Sequence, residues 1–174
     1  MNTKRKNLPE NIALGGIIAG AYIALTLAFS PISFGAVQFR ISEILTVLPL
    51  FTFSAIPGLT AGCFIANIIS SPLPLDGIFR TAATLFACIL TRLCRNIRFR
   101  DIPLLSMIFP TVINGIVIGL EIAFSMTGRG NGSFFISFIT SCGWIMLGEA
   151  VSSFLPGALL YKPLKKTKIF RDEK

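Results

Sequence analysis

Hydrophobic positions in this chain run in long blocks broken by short polar connectors. Six apolar stretches can be marked, at 12–29, 43–56, 58–71, 77–93, 103–126 and 134–161. A helix rising 1.5 Å per residue needs about 20 apolar residues to cross a hydrocarbon core of about 30 Å. The first, fifth and sixth stretches meet that length and the fourth is marginal. The second and third are short, at about 21 Å each if helical, and they meet at Pro57-Gly58, a turn signal. They predict two short helices or a re-entrant hairpin. Either choice returns the chain to the same side, so the parity of the remaining crossings holds. The pattern predicts an all-α integral membrane protein, a six-helix transmembrane bundle formed as a single domain over 1–174. The longest polar connector, 94–102, is too short to fold alone. No repeat of 20–50 residues is visible, which gives an inverted-repeat transporter no support.

Composition agrees with this pattern. Hydrophobic residues make up 53% of the chain, charged residues 14%, and mean hydropathy is +0.75. A soluble domain carries about 25% charged residues, so an ordinary soluble surface cannot be covered. The net charge of +8 would suit nucleic acid, but the basic residues flank the apolar stretches. If the N-terminus is placed in the cytoplasm, thirteen of the 16 basic residues fall inside, and only Arg40, Arg80 and Arg129 fall outside. That asymmetry is a strong positive-inside bias, and it predicts both termini in the cytoplasm. Lys4-Arg5-Lys6 followed by an apolar run from Ile12 imitates a signal peptide. The run is long, lacks a clear cleavage site and is followed by further apolar runs, so it reads as a first membrane helix. The C-terminal KPLKKTKIFRDEK reads as a stop-transfer flank.

Catalytic and cofactor chemistry finds little footing. Histidine is absent, which removes the usual general base and the commonest metal ligand. Cys63, Cys88, Cys94 and Cys142 show no CxxC spacing. Gly128-Arg129-Gly130-Asn131-Gly132 is neither GxGxxG nor a P-loop, and reads as a connector or a lid in an outer loop. We expect no cofactor, no metal site and no enzyme activity.

Two features point to binding. In the first stretch, Gly16, Gly20, Ala24 and Ala28 lie four apart, with Gly15 and Ala19 in a second row beside them. Such rows let helix backbones approach closely in lipid. They fit internal packing or a separate membrane subunit, and spacing alone does not choose. The second feature is a set of polar groups at membrane depth, where ionisable residues are expensive and point to function. Glu43, Asn67, Asp76, Arg80, Asn114, Glu121, Trp144 and Glu149 fall mainly in the outer half on this topology. Asn67 and Asn114 could instead bond neighbouring helices. Asp76 and Arg80 could pair with each other. Glu43 could cap its helix or pair with Arg40, and Trp144 could be a belt residue. Glu121 and Glu149 have no Lys or Arg at their depth in their own segments. A carboxylate suits a guanine-type edge, accepting a ring N–H and an exocyclic amino group together while aromatic rings sandwich the base.

Pro31-Ile32-Ser33-Phe34-Gly35 and Gln38-Phe39-Arg40-Ile41-Ser42-Glu43 resemble the QueT family, the substrate-binding (S) components of energy-coupling factor (ECF) transporters for queuosine precursors. The resemblance continues through Leu48-Pro49, Ile56-Pro57-Gly58-Leu59, Gly62-Cys63 and Ala66-Asn67. It resumes at Val112-Ile113-Asn114, Gly119-Leu120-Glu121 and Gly148-Glu149, covering about 12–161. The glycine-rich loop after Met126 stands outside it. The resemblance implies a six-helix S-component with a pocket near the outer face, joined to a transmembrane coupling protein and two ATPase subunits. It implies a 7-deazaguanine substrate such as preQ0, preQ1 or queuine. It also implies docking through Gly16, Gly20 and Ala24, and import by reorientation of the whole S-component, powered by ATP hydrolysis on its partners. The ligand contacts expected are Arg40, Glu43, Asn67, Asn114, Glu121 and Glu149, with Trp144 stacking. Other readings are an S-component for a different vitamin-like solute and a stand-alone proton-coupled carrier using Glu121 and Glu149.

Overall fold

The computed structural model describes residues 8–33, 39–70, 76–99, 102–128 and 133–167, with side chains placed for 8–31 and 77–99 in the first and third of these. The Lys4-Arg5-Lys6 start, Gln38, Arg100, residues 129–132 of the glycine-rich loop, the tail beyond Thr167 and the Asp76 side chain lie outside the described residues.

Among the described residues the chain is mainly helical, with no strand and one isolated bridge between Phe99 and Ile102. The helices are α1 (Leu8–Ala28), the single turn α2 (Ser30–Ser33), α3 (Ala55–Ser70), α4 (Asp76–Leu93), α5 (Leu104–Thr127), α6 (Phe134–Glu149) and α7 (Leu155–Lys166). A tight 3-10 segment, Ile41–Leu50, stands between α2 and α3, and a π turn, Ala150–Phe154, joins α6 to α7. Three helical runs are long and apolar enough to cross a membrane: Leu8–Ala28, Leu104–Thr127 and the continuous Phe134–Lys166. These are the first, fifth and sixth apolar stretches. Large apolar side chains such as Ile12, Ile17, Ile68, Phe86, Phe124, Phe135 and Leu159 face outward. Only 22% of the apolar window of α1 is buried. An apolar exterior of this kind requires lipid as solvent, and the protein is an α-helical membrane protein.

The Pro57-Gly58 turn expected from sequence does not form. Helix α3 runs through both residues, and the break falls earlier, at 51–54. Pro57 occupies the first turn of α3, where its missing N–H would have had no helical partner anyway. Gly58 serves packing instead. A Cβ there would lie 2.6 Å from the Gly15 carbonyl oxygen, and one on Gly62 would lie 2.9 Å from that of Ala19. The Gly15–Ala19 row of α1 therefore seats α3. Gly16 and Gly20 meet nothing within 4 Å, and Ala24 and Ala28 are exposed. Of the two small-residue rows, one is used inside the chain and the other is left open.

Successive helices pack on one another, α1 on α3, α3 on α4, α4 on α5 and α5 on α6. The second apolar stretch does not form a spanning α-helix. As the 3-10 segment it sits at the centre, touching α1, α3, α4, α5, α7 and the π turn. Seven of its ten residues are buried, from Ser42 and Glu43 to Leu50. Pro49 within it has no N–H to give, and its carbonyl accepts from Arg92 Nη1 at 3.1 Å. Val47, Leu48 and Leu50 join Ile18, Leu59, Met107 and Tyr161 in the core. The segment thus carries a polar end, Arg40 to Glu43, into the middle of an apolar bundle.

Candidate substrate-binding site

That polar end organises a buried cluster. Arg40 is 1% exposed, Glu43 1%, Asn67 1%, Asn114 2%, Glu149 2% and Glu121 8%, so six of the seven residues expected from sequence are withdrawn from the exterior. Arg40 donates through Nη2 to Asn67 Oδ1. Asn67, on α3, donates onward through Nδ2 to the Cys63 carbonyl at 2.7 Å and to Cys63 Sγ at 3.2 Å. Thr84 of α4 reaches the same sulfur at 3.3 Å. Glu43 is held from α1, where Tyr22 Oη donates to Oε1 at 2.5 Å. One turn along α1, the hydroxyls of Thr26 and Ser42 hydrogen-bond at 2.8 Å. Thr46 returns its hydroxyl to the Glu43 carbonyl at 2.6 Å and meets Ser153 of the π turn at 2.9 Å. On the far side, Asn114 Nδ2 donates to Glu149 Oε1 at 2.9 Å.

The Thr46–Ser153 bond links the Glu43 segment to the π turn that follows Glu149. Arg80 is buried too, at 3% exposure, and its pairing with Asp76 falls on a side chain outside the described residues. The described buried ionisable side chains are two arginines and three glutamates, Glu43, Glu121 and Glu149. Taking charges out of water is costly, and charge-balanced groups with hydrogen bonds reduce that cost. Several acceptors nevertheless stay open. Glu43 Oε2, Asn114 Oδ1 and Glu149 Oε2 are buried without a hydrogen-bond partner. An unfilled buried acceptor costs about 1–3 kcal/mol, so this cluster has acceptor capacity to spare.

Two of the expected residues are not brought to this centre. Glu121 is buried at 8% exposure. It lies two turns beyond Asn114 on the same face of α5, about 10 Å along the axis. Trp144 is 54% exposed, which places it on the outer surface of α6 and not over a buried ligand. Conversely, Tyr22, Ser42, Cys63, Thr84 and Ser153 contribute to the cluster without having been expected. The signal for Tyr22 and Thr26 was present in the spacing. With Gly15 and Ile18 they form the buried face of α1, at steps of three and four.

Lipid-facing helices around a buried polar cluster with open acceptors define a membrane protein that receives a polar solute. The comparisons agree. The chain belongs to the QueT transporter family, which matches it over residues 12–166, so a transport role is established at the level of the family. It is also 37% identical over 68 residues to the queuosine precursor transporter QueT of Lactococcus lactis subsp. cremoris (strain MG1363). That match covers 38% of this chain and 40% of the relative. No solved structure matches the chain.

Proposed function

We propose that this protein is the substrate-binding S-component of an ECF-type importer and that its ligand is a 7-deazaguanine queuosine precursor. The observation that carries the reading is the set of open buried acceptors, Glu43 Oε2, Asn114 Oδ1 and Glu149 Oε2. A 2-amino-6-oxo pyrimidine edge with its ring N–H and amino group is a donor-rich complement to them. The Arg40 carbonyl accepts from the Glu43 N–H at 3.1 Å, and Asn67 accepts from the Arg40 side chain, which fixes this end of the cluster. The name of the Lactococcus relative supports the same ligand class.

The chain acts as one domain with six helical segments crossing or entering the membrane and both termini in the cytoplasm. The charge asymmetry of its flanks supports this orientation. The open row Gly16, Gly20 and Ala24 docks the transmembrane coupling subunit, and two ATPase subunits supply the energy. Among the described residues a Cβ on Gly16 or Gly20 would meet nothing within 4 Å, which supports that role. No residue here is assigned to chemistry on ATP.

Calorimetry on purified protein tests the ligand. Tight binding of preQ0, preQ1 or queuine is expected. A vitamin that binds while all three fail would overturn the substrate and leave the architecture standing. Docking is tested by Gly20→Leu, which should abolish uptake in vesicles containing the partner subunits while ligand binding by the isolated protein persists. Equal loss of both would reassign the row to internal packing.

A further inference from the structure

The seam between α5 and α6 has a readable register. A Cβ on Gly119 would touch Cys142, one on Gly115 would touch Met146, and Asn114 bonds to Glu149. One turn back along α5, from Gly119 to Gly115, is matched by one turn forward along α6, from Cys142 to Met146, as antiparallel helices require, and the Asn114–Glu149 bond continues the seam. Thr111 lies three residues before Asn114 on the same face of α5, and Ser152 three residues after Glu149, in the π turn packed on α5.

Both hydroxyls are unusual in the same way. Thr111 is 8% exposed and Ser152 5%, and neither Thr111 Oγ1 nor Ser152 Oγ has a hydrogen-bond partner. A helical Ser or Thr commonly returns its hydroxyl to the carbonyl four residues back, as Thr26, Thr60, Ser70 and Thr140 do here. Thr111 and Ser152 do not. Ser106 Oγ is also open. It stands five residues from Thr111 and so faces another side of α5.

This end of the seam therefore holds two open hydroxyls together with two open acceptors, Asn114 Oδ1 and Glu149 Oε2. A guanine-type edge presents the complement: a carbonyl oxygen, a ring N–H and an amino group. Asn114 and Glu149 can take the two donors. The carbonyl needs donors, which carboxylates cannot supply and hydroxyls can. We infer that Thr111 and Ser152 are ligand contacts that donate to the 6-oxo group of the bound base and so help to set specificity for it. This rests on the 7-deazaguanine reading above and adds two residues to that site.

The test compares 7-deazaguanine with 6-thio-7-deazaguanine by calorimetry on the purified full chain. The two share every ring donor and differ in the acceptor at position 6, where sulfur accepts weakly. The unsubstituted protein should prefer the oxo base by about tenfold, the order expected when a buried donor loses its acceptor. In Thr111→Val/Ser152→Ala the preference should fall to within about threefold, through loss of oxo affinity and not gain of thio affinity. Ser152→Ala alone, if the double variant does not fold, should lower the ratio by about threefold. Equal affinity of the unsubstituted protein for both bases overturns the inference, as does equal weakening of both by the variants. A protein that binds neither base but binds a vitamin overturns the 7-deazaguanine reading itself, a separate and recognisable result.

Discussion

Adding one methyl group at Gly58 and one at Gly20 should have opposite consequences, although both glycines sit in apolar helices. In Gly58→Ala the new Cβ would stand 2.6 Å from the Gly15 carbonyl oxygen, with two further Gly15 atoms at 3.2 Å. A carbon–oxygen contact settles at about 3.3 Å or more, so α1 and α3 must part by about 0.7 Å at this point. The oxygen belongs to helix backbone and cannot swing aside. A gap of that size forfeits a quarter to a half of each dispersion contact along the seam. Overpacking of this kind costs about 1–3 kcal/mol. In Gly20→Ala the Cβ meets nothing within 4 Å, and replacing glycine by alanine in a helix is worth up to about 1 kcal/mol in its favour. Reversible unfolding in mixed micelles should show Gly58→Ala destabilised by at least about 1 kcal/mol and Gly20→Ala unchanged or slightly stabilised. Equal destabilisation by the two would refute the assignment of one row to α3 and the other to the exterior. The reverse order would place α3 on the wrong face of α1.

Further outcomes follow from the cluster. Glu43→Gln and Glu149→Gln should each weaken 7-deazaguanine binding by about 1–3 kcal/mol, since each loses a charge-assisted acceptor; calorimetry showing both unchanged would remove them from the site. Tyr22→Phe strips the donor from Glu43 Oε1 and should lower unfolding free energy by about 1–3 kcal/mol, whereas a neutral result would mean that the carboxylate does not depend on α1. Trp144→Ala, at a position 54% exposed, should leave ligand affinity within about twofold. A tenfold loss would return the indole to the ligand.

Lipid as the solvent was legible from the chain alone. Six apolar blocks and 14% charge leave no other, because helical crossing length and the desolvation cost of charge are properties of local sequence. Polar residues standing alone in such blocks were conspicuous for the same reason, and Arg40, Glu43, Asn67, Asn114 and Glu149 could be named before their partners were known. What the sequence could not decide was which groups meet. The Pro57-Gly58 pair has the composition of a turn, yet α3 runs through it, because a proline in a first helical turn costs nothing and Gly58 is required by α1 across the seam. The two small-residue rows of α1 are equivalent as patterns. Only the position of α3 shows that Gly15 and Ala19 are occupied while Gly16 and Gly20 are open. Tyr22 looks like an ordinary helix residue until the facing segment places its hydroxyl against the Glu43 carboxylate. Trp144 looks like a stacking residue until its helix turns it outward. Periodicity and solvent preference are written residue by residue, whereas hydrogen-bond satisfaction is a relation between distant segments and exists only once they are packed.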